Sequence, residues 1–374
     1  MRGAVIGCGY FARFHLDAWR RLPVELVGVC DQDRAKAEAA LIPSPAQRGR
    51  EGPASRSDVG GWGPDRIETS TAPSPTLPRF AGKGAVFTDA ATMLDAVRPD
   101  FADIVTPPGT HLDLVRLCAG RGIPTICQKP LAPDWPTAVE IVETAERADI
   151  PLVVHENFRF MPWFAEAARL IEAGAVGEPL DISFRLRSGD GQGSDAYLSR
   201  QPYFRTMPRF LVHETIIHLI DVFRMVFGEV AGVFARFRTL NPVITGEDAA
   251  TILFAFANPR RQGIVDGNRL IDHPSGDPRM TNGVLLVEGT GGQLRLDGHG
   301  RLFLRPHRGE EREHAYAWSN AGYGGDCVFR QCAAALAHIA HGEDVPNTGR
   351  AWLRNMEIEE AIYRSAAEGR FVTV

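Results

Sequence analysis

The stretch RGAVIGCGYFARFHLDAWRRL, residues 2–22, decides the fold. Its first residues form a short apolar run of strand length. The run stops at Gly7, and residues with helical spacing of apolar side chains follow. Gly7, Gly9 and Ala12 make a G-x-G-x-x-A turn between that strand and that helix, the context in which the pattern carries meaning. Gly7 permits the tight turn, Gly9 lets the backbone approach a pyrophosphate, and Ala12 allows close helix–sheet packing. The free N–H groups at the helix start favour a bound anion. A second apolar strand, VELVGVC, ends at Asp31, where a carboxylate can hold ribose hydroxyls. Strand, turn, helix, strand and acid within 31 residues point to a dinucleotide-binding unit, with Tyr10 and Phe11 completing the turn.

The alternation continues outward. FADIVTP, PTICQ and PLVVHE read as buried strands, and TDAATMLDAV, THLDLVRLCAGRG and DWPTAVEIVETAERAD as helices between them. Repeated βα units with near-continuously apolar strands predict a doubly wound parallel sheet of Rossmann type over residues 1–150. Residues 43–84 interrupt it with seven prolines and seven glycines in 42 positions, and are expected to be a disordered insertion. Beyond residue 150 the period changes. LDISFRLRS, VAGVFARFRTL, AATILFAFA, QGIVDGNRL, GVLLVEGT, GQLRLDG and RLFLRP alternate as half-buried strands. With helices at MPWFAEAARLIEAG, RFLVHETIIHLIDVFRMVFG and the last two segments, they predict a C-terminal α+β domain over residues 151–374. It carries an open, mostly antiparallel sheet for substrate binding and oligomerisation. The fold class is therefore α/β with an added α+β domain.

Composition narrows the function classes. The chain has 374 residues, 44% hydrophobic and 23% charged, with a net charge of −5. That balance argues against nucleic acid or an anionic membrane as partner, and no apolar run is long enough to span a bilayer. No secretory leader is apparent, and the six cysteines show no CxxC pairing, so reduced thiols in the cytoplasm are expected.

Of 41 basic residues only three are lysines: Lys36, Lys83 and Lys129. Lys129 stands at the carboxyl end of the PTICQ strand, on the edge where doubly wound sheets bind ligands. A guanidinium keeps its proton near neutrality, whereas a partly desolvated amine can release one, so lysine suits a hydroxyl that must be polarised. VTPPGTH places Thr106 and Pro107 on the same edge, where they could line a nicotinamide pocket. His111 could join them or simply sit in its helix's first turn. In LVHETIIHLID, Glu214 and His218 are four apart and share a helix face, while His213 points elsewhere. Metal binding lacks a third ligand nearby, so a general acid/base oriented by a carboxylate is the reading adopted.

GCGYFA, VTPPGTH, QKP, HENFRF and ETIIH occur in an order that resembles the glucose–fructose oxidoreductase / inositol dehydrogenase / rhizopine-catabolism (Gfo/Idh/MocA) family, over nearly the whole chain except residues 43–84. The resemblance implies that Lys129 and His218 form the catalytic pair, with Glu214 where the family usually has aspartate and Gln128 where it usually has glutamate. It also implies that Asn157 and Arg159 line the active site beside Lys129, Glu214 and His218. Gly7, Gly9, Tyr10, Phe11, Ala12, Asp31, Thr106, Pro107, His111, Gln128 and Lys129 would then face the cofactor. The expected activity is hydride transfer between NAD, with NADP the alternative, and a secondary alcohol or ketone of a sugar, cyclitol or related polyol. His218 would take the proton, Lys129 polarise the oxygen and Glu214 orient the histidine, without a metal. An NAD-dependent glycoside hydrolase of the same fold and a non-catalytic dinucleotide sensor are the other classes. A homo-oligomer built through the C-terminal sheet is expected.

Overall fold

Six strands, β1 (Arg2–Ile6), β2 (Glu25–Cys30), β3 (Ala85–Phe87), β4 (Phe101–Ile104), β5 (Thr125–Gln128) and β6 (Leu152–His155), form a parallel sheet in the order β3-β2-β1-β4-β5-β6. They are seen in a computed structural model that describes residues 1–42, 84–277 and 280–374. Apart from Gly84, the expected insertion over 43–84 lies outside the described residues. Successive side chains of β1 feed opposite layers: Val5 packs with Leu16 and Trp19 of α1 (Ala12–Arg21), while Ala4 and Ile6 pack in the other cluster. That cluster also holds Val115 of α4 (His111–Ala119) and Ile141 of α5 (Trp135–Arg147). Helices α2 (Arg34–Leu41) and α3 (Ala90–Val97) complete the wrapping. Burial on both faces explains why these strands are apolar almost throughout. Between β1 and β4 the strand order reverses, which opens a crevice at their carboxyl ends.

The second sheet has nine strands: β7 (Pro179–Arg187), β8 (Val230–Arg238), β9 (Ala249–Phe256), β10 (Gln262–Asn268), β11 (Gly283–Gly289), β12 (Gly292–Leu296), β13 (Leu302–Pro306), β14 (Arg312–His314) and β15 (Val372–Thr373). Their order is β14-β13-β12-β11-β7-β10-β9-β8-β15, antiparallel except where β7 meets β10. Alternate residues are buried, such as Ile182, Phe184 and Leu186 on β7 and Ile252, Phe254 and Phe256 on β9. They pack under α6 (Pro162–Glu172), α7 (Ile217–Phe227) and α9 (Gly349–Glu368), with Phe223 edge-on to Phe254. The other face is open.

The long apolar helix expected around residues 209–228 begins differently. Val212–Ile216 is π-helical and only then does α7 start. At the C-terminus, α8 (Cys327–His341) packs on α1, and α9 lies against both α5 and β8. Trp352, Leu353 and Met356 of α9 join one apolar cluster, and Ile358 and Ile362 join the other. One helix thereby serves both sheets.

Candidate functional site

Four strand ends and the π-helical segment meet at one cavity of about 320 Å³. β1 delivers Gly9, Tyr10 and Phe11; β4 delivers Val105–Pro108; β5 delivers Gln128 and Lys129; β6 delivers Asn157 and Phe158. Glu214, Thr215 and His218 form part of the facing wall. Gly7 has φ +97°, and a Cβ there would lie 2.6 Å from the Val105 carbonyl oxygen, so only glycine fits. At Gly9 the reason is different: a Cβ would meet nothing within 4 Å, which leaves the backbone bare toward the crevice. The N-cap residue of α1, Phe11, supplies no side-chain hydrogen bond to the helix start. Open space over bare backbone at a helix N-terminus fits a pyrophosphate. Asp31 lies beside the turn, accepting from the backbone N–H of Cys8 (2.8 Å) and of Asp33 (2.9 Å). Gly7, Ala12 and Asp31 are outside the cavity lining itself.

Lys129 Nζ donates to the carbonyl oxygen of Glu214 (2.7 Å) and to Glu214 Oε1 (2.9 Å), leaving one N–H for a ligand. Beneath it, Gln128 Oε1 accepts from the Lys129 backbone N–H at 2.7 Å. His218 is 5% exposed, lies flat on Phe158 (3.9 Å between centroids, 4° between planes), and has Nδ1 at 2.6 and 2.8 Å from the two oxygens of Glu156. Burial, then the nearby Lys129, pushes the imidazole well below its ordinary range. Burial, then Asp221, pushes the Glu156 carboxyl up.

The expected pairing of Glu214 with His218 is thus corrected. Helical spacing brings both to one cavity, but it cannot register side chains supplied by other elements. Lys129 from β5 captures Glu214, and Glu156 from the end of β6 captures His218. The expectation for HENFRF names Asn157 and Arg159 and not Glu156, although an acid directly after a buried strand on the ligand edge is itself a signal. Arg159 does not line the cavity. Its guanidinium makes a two-pronged pair with Asp221 (2.6 and 2.5 Å), which ties the turn after β6 to α7. His111 is fully buried, with ring nitrogens 2.9 Å from the Leu131 and 2.8 Å from the Thr106 carbonyl oxygens. It pins the loop after β4 rather than facing a ligand, and its burial pushes the imidazole down toward the neutral form. His213 points away, 2.6 Å from Glu359.

Asn157 is 3% exposed and its Nδ2 has no partner among the described residues; the same holds for Nδ2 of Asn282, which also lines the cavity. A buried amide donor without an acceptor is costly, so these two groups fit a bound oxygen-rich ligand. The far wall carries residues that no sequence pattern indicated. Arg269 donates to Asp190 (2.9 Å) and to the Thr215 hydroxyl, and Arg200 reaches the same Asp190 oxygen at 3.3 Å. Burial alone would raise the Asp190 carboxyl, but Arg269, Ser188 and Arg200 outweigh it and hold it down.

Comparison with known proteins identifies the family and the fold. Residues 67–156 match the family model described as an oxidoreductase family with an NAD-binding Rossmann fold, and residues 164–295 match the GFO/IDH/MocA C-terminal domain. The chain is 33% identical to a D-apiose dehydrogenase of Paraburkholderia graminis, across 99% of its own length and 89% of the relative's. It is 30% identical to a D-apiose dehydrogenase of Rhizobium rhizogenes, across 100% and 97%. A crystal structure of an Agrobacterium radiobacter oxidoreductase with NAD+, L-tartaric acid and magnesium superposes with a TM-score of 0.80 at 30% identity, covering 100% and 98% of the two chains. With the glycine turn, the parallel sheet and the cavity at its switch point, these likenesses establish that the chain belongs to the Gfo/Idh/MocA family of NAD-binding oxidoreductases.

Proposed function

We propose that the protein is an NAD-dependent dehydrogenase of a small, unphosphorylated sugar, with D-apiose the first substrate to test. One observation carries the chemistry: an ammonium with one free N–H and a histidine anchored through Nδ1 line the same cavity as the glycine turn. The turn from Gly7 to Ala12 would hold the pyrophosphate, Asp31 the ribose hydroxyls, and Thr106 and Pro107 the nicotinamide side. NAD, when bound, supplies the hydride-accepting chemistry. With Glu156 ionised, His218 carries its ring proton on Nδ1, and Nε2 is free to take the proton of the substrate hydroxyl. Lys129 donates its remaining N–H to the same oxygen and stabilises the charge that grows there. Glu214 holds the lysine in place and Glu156 holds the histidine. Asn157 and Asn282 offer unpartnered donors to the sugar or to the cofactor amide.

The sugar class is supported by the two D-apiose dehydrogenases that the chain resembles along its full length. Steady-state assays over a panel of aldoses, D-apiose and inositols, following reduction of NAD+ and of NADP+, test the reading. Turnover of a sugar with NAD+ preferred is expected, because the Asp31 carboxylate repels a 2′-phosphate. Absence of turnover across the panel, with dinucleotide still bound, would favour a sensor instead.

We read residues 1–150 as the dinucleotide-binding domain and 151–374 as the substrate domain. The chain would assemble through the open face of the second sheet, where Phe234 and Leu253 lie side by side on β8 and β9, 36% and 38% exposed. Light scattering should show an oligomer that Phe234→Lys with Leu253→Lys dissociates. The six unpaired cysteines support a cytoplasmic setting.

A further inference from the structure

Below the cavity floor a polar chain runs through the packed interior. Asp103 on β4, and His15 and Trp19 on α1, are fully buried, and Gln128 at the end of β5 is nearly so. Trp19 Nε1 donates to Asp103 Oδ2 at 2.6 Å, and His15 Nδ1 lies 2.8 Å from the same oxygen. Gln128 Nε2 lies 3.0 Å from His15 Nε2, and Gln128 Oε1 accepts from the Lys129 backbone N–H at 2.7 Å.

Donor and acceptor chemistry fixes each proton in this chain. A backbone N–H cannot accept, so the carboxamide oxygen must face Lys129 and the amide nitrogen must face His15. An amide nitrogen only donates, so His15 Nε2 accepts. The single ring proton then sits on Nδ1 and goes to Asp103. The other groups packed on the ring add no charge: His155, at 4.0 Å between centroids, is driven well below its ordinary range by burial, and the nearby Cys332 thiol is driven well above. His15, His155 and Cys332 bring donor atoms within 4.8 Å of one another, but both nitrogens of His15 are already engaged, so the cluster is not an open metal site.

We propose that Gln128 is a positioning residue that ties the backbone of Lys129 to the buried His15–Asp103 pair and thereby holds His15 as the neutral Nδ1–H tautomer. A carboxylate at 128 would still accept from Lys129, but it would require a proton on His15 Nε2. The result would be an imidazolium between two carboxylates directly beneath the lysine. Gln128 thus keeps the support of Lys129 rigid and uncharged. The kinetic part of this inference rests on the dehydrogenase reading; the tautomer does not.

The test uses the full-length protein labelled with 15N at histidine, with long-range proton–nitrogen spectra and the His15 signals assigned by their loss in His15→Gln. The wild type should show His15 protonated on Nδ1 alone, and Gln128→Glu should show it protonated on both nitrogens at the same pH. A wild-type proton on Nε2, or His15 signals unmoved by Gln128→Glu, would overturn the coupling. Gln128→Met, close in volume but without either hydrogen bond, should lower kcat about ten- to a hundred-fold while NAD affinity changes less than about threefold, the pattern of a misplaced reacting group. A wild-type kcat in Gln128→Met would overturn the positioning role. If that variant does not fold, Gln128→Glu carries the kinetic arm, since its kcat should show an ionisation additional to the Glu156–His218 step that the wild type also shows; a pH profile identical to wild type would overturn the positioning role. The spectra need no turnover, so an inactive wild type would sink the dehydrogenase reading alone.

Discussion

Lys129, Glu214, His218 and Glu156 form two anchored pairs, and each pair has a distinct signature on substitution. Lys129→Arg should lower kcat by at least about a hundred-fold, because a guanidinium is too broad for the site and cannot place a compact N–H donor on the reacting oxygen. Dinucleotide affinity, measured by quenching of protein fluorescence, should change little. Glu156→Gln separates the second pair from mere packing. The Glu156 carboxyl, ordinarily near 4.5, is pushed up to about 8 by burial and by Asp221. Oxidation needs Glu156 ionised and His218 Nε2 free, so kcat for oxidation should rise with pH toward that value, as a property of the pair. In Glu156→Gln the rise should vanish and kcat should fall by about 10²-fold or more. The same shift has a consequence for stability. The folded state keeps a proton on Glu156 that the unfolded chain gives up above about 4.5, so this contribution is full at acid pH and is lost as pH approaches about 8. Melting temperature should therefore decline more steeply over that window in the wild type than in Glu156→Gln. Parallel slopes would show that the carboxyl is ionised throughout.

At the scale of the element, the β1–α1 turn contains two glycines required for unrelated reasons, and alanine substitution distinguishes them. Gly7→Ala places a Cβ 2.6 Å from the Val105 carbonyl oxygen on a backbone with φ +97°, so it should cost about 1–3 kcal/mol of stability or more. Gly9→Ala meets no protein atom within 4 Å, and its stability should stay within about 0.5 kcal/mol of wild type while NAD affinity falls. Paired thermal melts and nucleotide titrations check both. Loss of stability in Gly9→Ala without loss of affinity would mean that the crevice is not the pyrophosphate site. The helix carrying Glu214 and His218 shows where element-level reading stops. Period and apolarity announce a helix, but they do not distinguish the π-helical segment Val212–Ile216 from the α-helix that follows it.

Across the whole molecule, the chain's C-terminal part returns to line the cavity beside the glycine turn. Tyr323, just before α8, packs edge-on against Phe11 (5.3 Å) and Phe14 (5.4 Å) and lines the cavity, while Arg21 of α1 pairs with Asp326. Such aromatic contacts contribute about 0.5–1.5 kcal/mol each, so Tyr323→Ala should weaken NAD binding several-fold in a nucleotide titration, although some 310 residues separate it from the turn. Unchanged affinity would show that the return of the chain serves packing only. The sequence by itself determined what depends on local rules. Gly7, Gly9 and Ala12 declared a turn, apolar runs declared buried strands, and the change from continuous to alternating apolarity declared a second sheet with one open face. Lys129 was legible because it ends a strand on the ligand edge. Tertiary structure alone decided who partners whom: Glu156 rather than Glu214 on His218, Asp221 on Arg159, Asp190 and Arg269 on the far wall, and His15 beneath Gln128. Each of these contacts joins residues at least 62 positions apart. Periodicity tells which way a side chain faces along its own element, but the distance between two elements is set only when the sheets close and the buried polar groups must find partners.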